Sequence, residues 1–210
     1  MKGYWWVTLL FTPWVLYWTL CGFGFRWSVA AGLASSVAVY LVGLRRGPRM
    51  LSLFRLAAPA YFTAAVIDTY LLGGSTFVEN CGFAGYAALS AATLASLFVG
   101  SPFTYEVALL DYPGYRDVPE FRAVNRVLTA VWSALFAAAS LVSLLPRPLG
   151  MASHLLMVVG IVLSSRMPEA LVVRGVSGKV PRYSRWRPRG SGEVVVVCLL
   201  YTSPSPRDRG

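Results

Sequence analysis

Six stretches of this chain run 16 to 22 residues with almost no charge, each bounded by charged residues or by Gly and Pro. They are Tyr4–Cys21, Trp27–Leu44, Leu51–Leu72 with Arg55 one turn in, Phe83–Val99, Val127–Leu145 and Leu149–Ser164. A bilayer core of ~30 Å takes about 20 apolar residues at helical rise, so each run is a candidate span. The runs are continuously apolar, whereas the strands of a membrane barrel alternate, so helices are expected. Composition agrees: 56% of the 210 residues are apolar and 13% are charged, about half the ~25% charged share of ordinary domains. A soluble domain of this length needs more polar surface. The same balance excludes disorder, collagen and a coiled coil, and three Cys cannot make a disulfide framework. The expected fold is an all-α integral membrane bundle of about six transmembrane helices.

Orientation is read from where the basic residues fall, because cytoplasmic loops carry the positive excess. Lys2 precedes the first run as in a signal peptide, but no A-x-A-like site follows, and Trp18-Thr19-Leu20 ahead of Cys21 does not suit lipoprotein cleavage. The first helix is therefore read as retained. With the N-terminus inside, Lys2, Arg45, Arg46, Arg49, Arg116, Arg122, Arg126 and the seven basic residues from Arg166 to Arg189 fall on one side. Only Arg26 and Arg147 fall on the other. The pattern predicts both termini in the cytoplasm. It also turns the net charge of +10 into an orientation signal and gives no support to a nucleic-acid partner. The basic segment Lys179–Arg189, with Tyr183 and Trp186 interleaved, reads as attraction to anionic headgroups.

The residues that carry chemistry are few. The chain has no G-x-x-x-x-G-K-[ST] phosphate loop and no H-E-x-x-H pair, and His154 is its single His. No catalytic residue, cofactor or metal site is expected, and the protein is read as non-enzymatic. Asp68 lies in the third run with no basic residue within a turn; intramembrane carboxylates are costly and mark ion or proton paths. It and His154 are the candidate intramembrane polar residues of an alternative reading, a small transporter or channel. Cys21 and Cys81 both fall on the outer side, where an oxidising exterior permits a disulfide and buried thiols are the alternative. Stripes at four-residue spacing (Ala30, Ala34, Ala38; Ala84, Ala88, Ala92, Ser96; Ala130, Ala134, Ala138) read as close helix packing within one bundle.

The most patterned segment is the cytoplasmic connection 101–126 between the fourth and fifth runs. Phe103, Val107 and Leu110 share a helical face, which suggests a short interfacial helix with Tyr105, Tyr112 and Tyr115 at headgroup depth. Asp117, Pro119 and Glu120 form a helix start, so the fifth helix begins before the membrane and carries Arg122, Asn125 and Arg126 to its edge. Glu106, Asp111 and Glu120 are read as ion-pair partners of nearby arginines.

Pro13-Trp14, Tyr17-Trp18, Pro102-Phe103-Thr104, Val118-Pro119, Phe121, Asn125-Arg126, Thr129, Trp132 and Phe136 resemble a group of uncharacterised bacterial inner-membrane proteins. That group in turn is similar to the intracellular septation protein A family. The resemblance covers the layout of 1–167 and specific residues only from Pro102 to Phe136. It implies a role in envelope organisation or division through other membrane proteins, with Pro102, Phe103, Thr104, Pro119, Phe121, Asn125, Arg126 and Trp132 as the candidate interaction loop. It supplies no catalytic residues. Residues 168–197 form a basic cytoplasmic tail. Cys198 to Asp208 resemble a translated sequencing-library adapter, so 198–210 is set aside and the native status of the tail just before it is open. Without Arg207, Arg209 and Asp208 the basic and acidic counts fall from 19 and 9 to 17 and 8, so the basic excess survives.

Overall fold

Leu, Val, Ala and aromatic residues dominate the six apolar runs and leave the backbone to bond chiefly to itself, and the described residues of each run are mainly helical. A computed structural model describes residues 3–45, 53–146 and 149–164. Helix α1 spans Gly3–Gly22, α2 Ser28–Leu44 and α3 Leu53–Val66, and α3 continues as a π-helical turn over Ile67–Leu71. A single-turn helix, α4 (Thr76–Glu79), leads into α5 (Cys81–Phe98). The next connection folds as α6 (Phe103–Asp111) and a 3₁₀ turn at Pro113–Tyr115, followed by α7 (Pro119–Val142). A 3₁₀ turn at Leu149–Ala152 precedes α8 (Ser153–Ser164). Among the described residues there is no strand. The chain divides into two units, Met1–Gly160 and Ile161–Gly210, and of the second only the helical residues 161–164 are described. The basic tail and the adapter-like terminus lie outside the described residues.

Helices α5 and α7 are long and apolar enough to cross a bilayer by length and composition; Val7–Gly22, α2 and α8 are apolar but shorter. These two long helices pack along each other. Ser90 donates to the Ser133 carbonyl (3.0 Å) while Ser133 donates back to the Ser90 carbonyl (3.2 Å). Two helical turns away, Ser140 donates to the Phe83 carbonyl (2.9 Å). The seven-residue step on both helices, taken in opposite directions, fixes an antiparallel register.

The core is aromatic. Trp14, Tyr17, Phe62, Tyr86 and Phe136 are almost wholly buried. Phe62 is held between Trp14 and Tyr17, each at 5.2 Å between ring centroids, and Tyr61 at 5.1 Å. The rest of the interior is unusually rich in hydroxyls: Ser28, Ser36, Thr93, Ser96, Thr129, Ser133 and Ser140 are buried. The outer faces carry Val15, Leu16, Val37, Leu41, Leu94, Leu141, Leu155 and Val158 exposed.

Two expectations about helix faces are corrected. The Ala84–Ser96 stripe packs inward, with Ala92 and Ser96 buried, but Ala30, Ala34, Ala38, Ala130 and Ala134 face outward. Helix α2 instead packs through Val29, Gly32, Ser36 and Gly43. Glycine, smaller than alanine, takes the closest approach: a Cβ on Gly32 would collide with the Phe62 ring. The start of α7 also differs. Its N-cap is Val118, with Pro119 in the first turn and no side-chain cap, so Asp117 does not cap the helix. Pro at the first helical position needs no N–H partner and presets the helical φ.

Gly32→Ala is expected to lower stability by about 1–3 kcal/mol, because the pinned Phe62 ring cannot move aside. Gly22→Ala, with nothing within 4 Å of its Cβ, is the control. Thermal melting of both variants in detergent micelles checks the difference.

Candidate functional site

The connection between α5 and α7 is built inward from its ends. Gly100, at φ 79°, closes α5 in the left-handed region with the Ser101 N–H on the Ser96 carbonyl (3.1 Å) and the Gly100 N–H on Leu97 (3.2 Å). Ser96 then accepts the Phe103 N–H (3.2 Å), which ties the first residue of α6 back to α5. Pro102 and Phe103 are buried, and the Phe103 ring stacks on Phe54 of α3 at 4.7 Å. Thr104 joins α6 to α7: its hydroxyl donates to the Asn125 carbonyl (2.8 Å) and shares a hydrogen bond with the Thr129 hydroxyl (2.8 Å). The Asn125 side chain, 5% exposed, donates to the Phe121 carbonyl (2.8 Å).

The turn after α6 is held by Tyr105. Its hydroxyl donates to the Arg116 carbonyl (2.6 Å), its ring lies 5.8 Å from Phe121, and Arg122 sits over it at 5.4 Å. Tyr105 is 6% exposed, so its expected place at the headgroups is corrected: the ring is needed to close the turn. Tyr115 reaches the other side of the same cluster, 5.8 Å from Phe121.

Of the eight loop residues singled out from sequence, Pro102, Phe103, Thr104, Phe121 and Asn125 come together as this internal lock. Trp132 lies further along α7, its ring tilted against Phe136 at 5.3 Å. Pro119 and Arg126 are exposed. Phe103 and Asn125 therefore do not present a contact surface, because their side chains are consumed in holding the loop. The surface the lock presents is Pro113, Gly114, Arg116, Asp117, Pro119 and Glu120.

Sequence reasoning left out a residue at this end of the bundle, Arg55. It is 4% exposed, donates to the Tyr40 carbonyl (3.2 Å) and lies 5.6 Å from the centre of the Tyr40 ring. Glu106 of α6 accepts from Ser101 (2.6 Å). The signal was a cation inside an apolar run, where only an internal partner can hold it.

No family model, no curated protein and no solved structure matches this chain.

The two intramembrane candidates lie in different surroundings. Asp68 is in the π-helical turn, and one carboxylate oxygen is buried without a hydrogen-bond partner. Gly74 packs against this carboxylate, and Arg26 donates to the neighbouring Thr69 (3.3 Å) and Gly74 (3.5 Å) carbonyls. Folding thus brings near Asp68 a cation that lies 42 positions away in sequence. His154 is exposed, edge-on to Trp18 (6.2 Å) and Tyr86 (6.1 Å). Cys21 and Cys81 are not joined by a disulfide. Among the described residues, no group of three His, Cys, Asp or Glu side chains is placed to hold a metal ion.

Thr104→Val removes the hydroxyl shared by Asn125 and Thr129, with an expected cost of about 1–3 kcal/mol. Trypsin should then cut after exposed Arg116 faster than in wild type, and Thr104→Ser should restore the wild-type rate.

Proposed function

We propose that this chain is a six-span protein of the bacterial cytoplasmic membrane, with both termini inside, that acts by binding other envelope or division membrane proteins. The observation that carries the membrane reading is the long outer faces of exposed Leu and Val, with hydroxyls paired between helices inside. In lipid, polar groups must be satisfied within the protein, whereas apolar side chains can face outward without penalty. The basic residues Arg116, Arg122 and Arg126 at one end of α7 support the orientation.

The interaction reading rests on the locked loop. An internal set of hydrogen bonds and stacked rings holds a short turn in one shape, which is what a recognition surface needs in order to avoid an ordering cost on binding. In this account Phe103, Thr104, Phe121 and Asn125 position the loop, and Arg116, Asp117, Pro119 and Glu120 meet the partner. The resemblance of residues 102–136 to an uncharacterised inner-membrane group, itself similar to the septation protein A family, supports a partner in the division or envelope machinery. A second reading, a transporter or channel, is favoured by the buried, unpartnered oxygen of Asp68 in a π-helical turn, since such turns recur at functional sites.

The test is complementation of a deletion strain. Arg116→Glu combined with Glu120→Lys is expected to insert and melt like wild type yet fail to restore cell morphology, while Asp68→Asn restores it. Full rescue by the double variant contradicts the interaction reading. Proton flux in liposomes that Asp68→Asn abolishes establishes the transporter reading instead.

A further inference from the structure

A shallow groove between α1, α2 and α3 lies where α2 ends and α3 begins, lined by Leu10 of α1, Val39 and Tyr40 of α2, and Phe54, Arg55 and Ala58 of α3. Its polar and apolar parts are separated by depth. The Arg55 side chain runs outward along α2: its guanidinium lies against Gly43, where a Cβ would strike it, and donates to the Tyr40 carbonyl (3.2 Å). Gly43 is next to the last residue of α2, so the charge stands at the rim. Ser36, on the inner wall, lies about 10 Å deeper at helical rise. Its hydroxyl is taken up by the Leu33 carbonyl (2.8 Å), which leaves that wall apolar toward a ligand. Among the described residues that line the groove there is one cation and no carboxylate. Glu106 of α6 is outside this lining and accepts from the Ser101 hydroxyl (2.6 Å). Exposed Arg45, the C-cap of α2, follows just beyond Gly43 and brings a second cation to the same rim.

We propose that this groove binds an anionic phospholipid of the cytoplasmic leaflet, its phosphate at Arg55 and Arg45 and one acyl chain laid along Leu10, Val39 and Ala58. The leaflet rests on the membrane topology proposed above; the charged rim and apolar wall do not. A guanidinium offers its N–H donors in a planar fork that matches phosphate oxygens. The Tyr40 carbonyl and the Tyr40 ring, 5.6 Å from the guanidinium carbon, hold that plane in place. Basic pockets between membrane helices on the cytoplasmic side hold anionic headgroups in the same way. A zwitterionic lipid presents the same phosphate with a choline cation attached, which two arginines at one rim disfavour. A soluble anion meets the guanidinium but leaves the apolar wall bare, whereas a phospholipid covers both.

The experiment uses the full chain in liposomes of mixed phosphatidylglycerol and phosphatidylcholine, with a trace of one or the other carrying a photoactivated carbene precursor in its acyl chain. Peptide mass mapping is expected to find roughly fivefold more adduct on Val39 and Ala58 from the phosphatidylglycerol tracer. Leu94 and Leu141, exposed on α5 and α7, should take both tracers equally. Arg55→Gln is expected to abolish the preference at Val39 and Ala58 and leave Leu94 and Leu141 unchanged, and glycerol phosphate in the water phase should not alter the map. Equal labelling of the groove by both tracers in the wild type, a result independent of how the variant folds, overturns the proposal. A preference that survives in folded Arg55→Gln, or one that glycerol phosphate removes, also overturns it, the second by showing a site for a soluble anion. Adducts on Leu94 and Leu141 with none in the groove overturn the lipid site and keep the membrane reading. The absence of adducts at all four positions places the failure in the membrane reading itself.

Discussion

A helix that turns Leu and Val outward has to satisfy its remaining polar atoms inside, and the α5–α7 seam shows how this chain does so. Ser90 and Ser133 exchange hydrogen bonds with each other's carbonyls, and Ser140 repeats the arrangement at Phe83 two turns on. Each of these three hydroxyls thereby finds an acceptor on the neighbouring helix. The cost of an unsatisfied polar group in an apolar medium is several kcal/mol, so these bonds set the register more than they add net stability. Once α5 and α7 are registered, Ser96 and Thr129 stand opposite the α6 backbone and side chain that they bind. The loop lock depends on the seam.

Helix α1 has the same role at the other end. Its aromatic face, Trp14, Tyr17 and Trp18, packs on α3 and α5 through rings, and its hydrogen bonds go to the backbone of 77–81. The Tyr17 and Tyr61 hydroxyls also meet at 3.0 Å. Aromatic side chains bring large contact area with few rotatable bonds, which suits a helix that must bind several neighbours at once. The connection 101–118 and the segment 77–81 thus lie at opposite ends of α5, each held by bonds from a different helix.

The helices were legible because long apolar runs leave little choice of secondary structure: the described residues of each run are mainly helical, α1 and α2 within a residue at either end, and two of the helices, α5 and α7, are long and apolar enough to cross a membrane. Which face of a helix packs was less legible. Ala30, Ala34 and Ala38 have the spacing of a packing stripe, yet Gly32 and Ser36 on an adjoining face make the contact. Spacing alone cannot separate neighbouring faces when both carry small residues. The loop residues Phe103, Thr104 and Asn125 were found because they break the surrounding pattern. Their role was not legible, since a buried lock and an exposed contact use the same residue types and differ only in tertiary partners. The partners of Arg55 and Arg26 were not legible for a similar reason: the Tyr40 carbonyl and the Thr69 carbonyl reach them only in the fold.

The central claim is that the outward Leu and Val faces meet lipid. A phospholipid carrying a photoactivated carbene precursor in its acyl chain, incorporated into liposomes with the purified protein, tests it by peptide mass mapping. The account predicts adducts on exposed Val37, Leu41, Leu94 and Leu141 and none on buried Phe62, Tyr86, Thr93 and Phe136. Labelling that ignores this division, or modification of Leu41 and Leu94 by hydroxyl radicals from the water phase of the same liposomes, would contradict it.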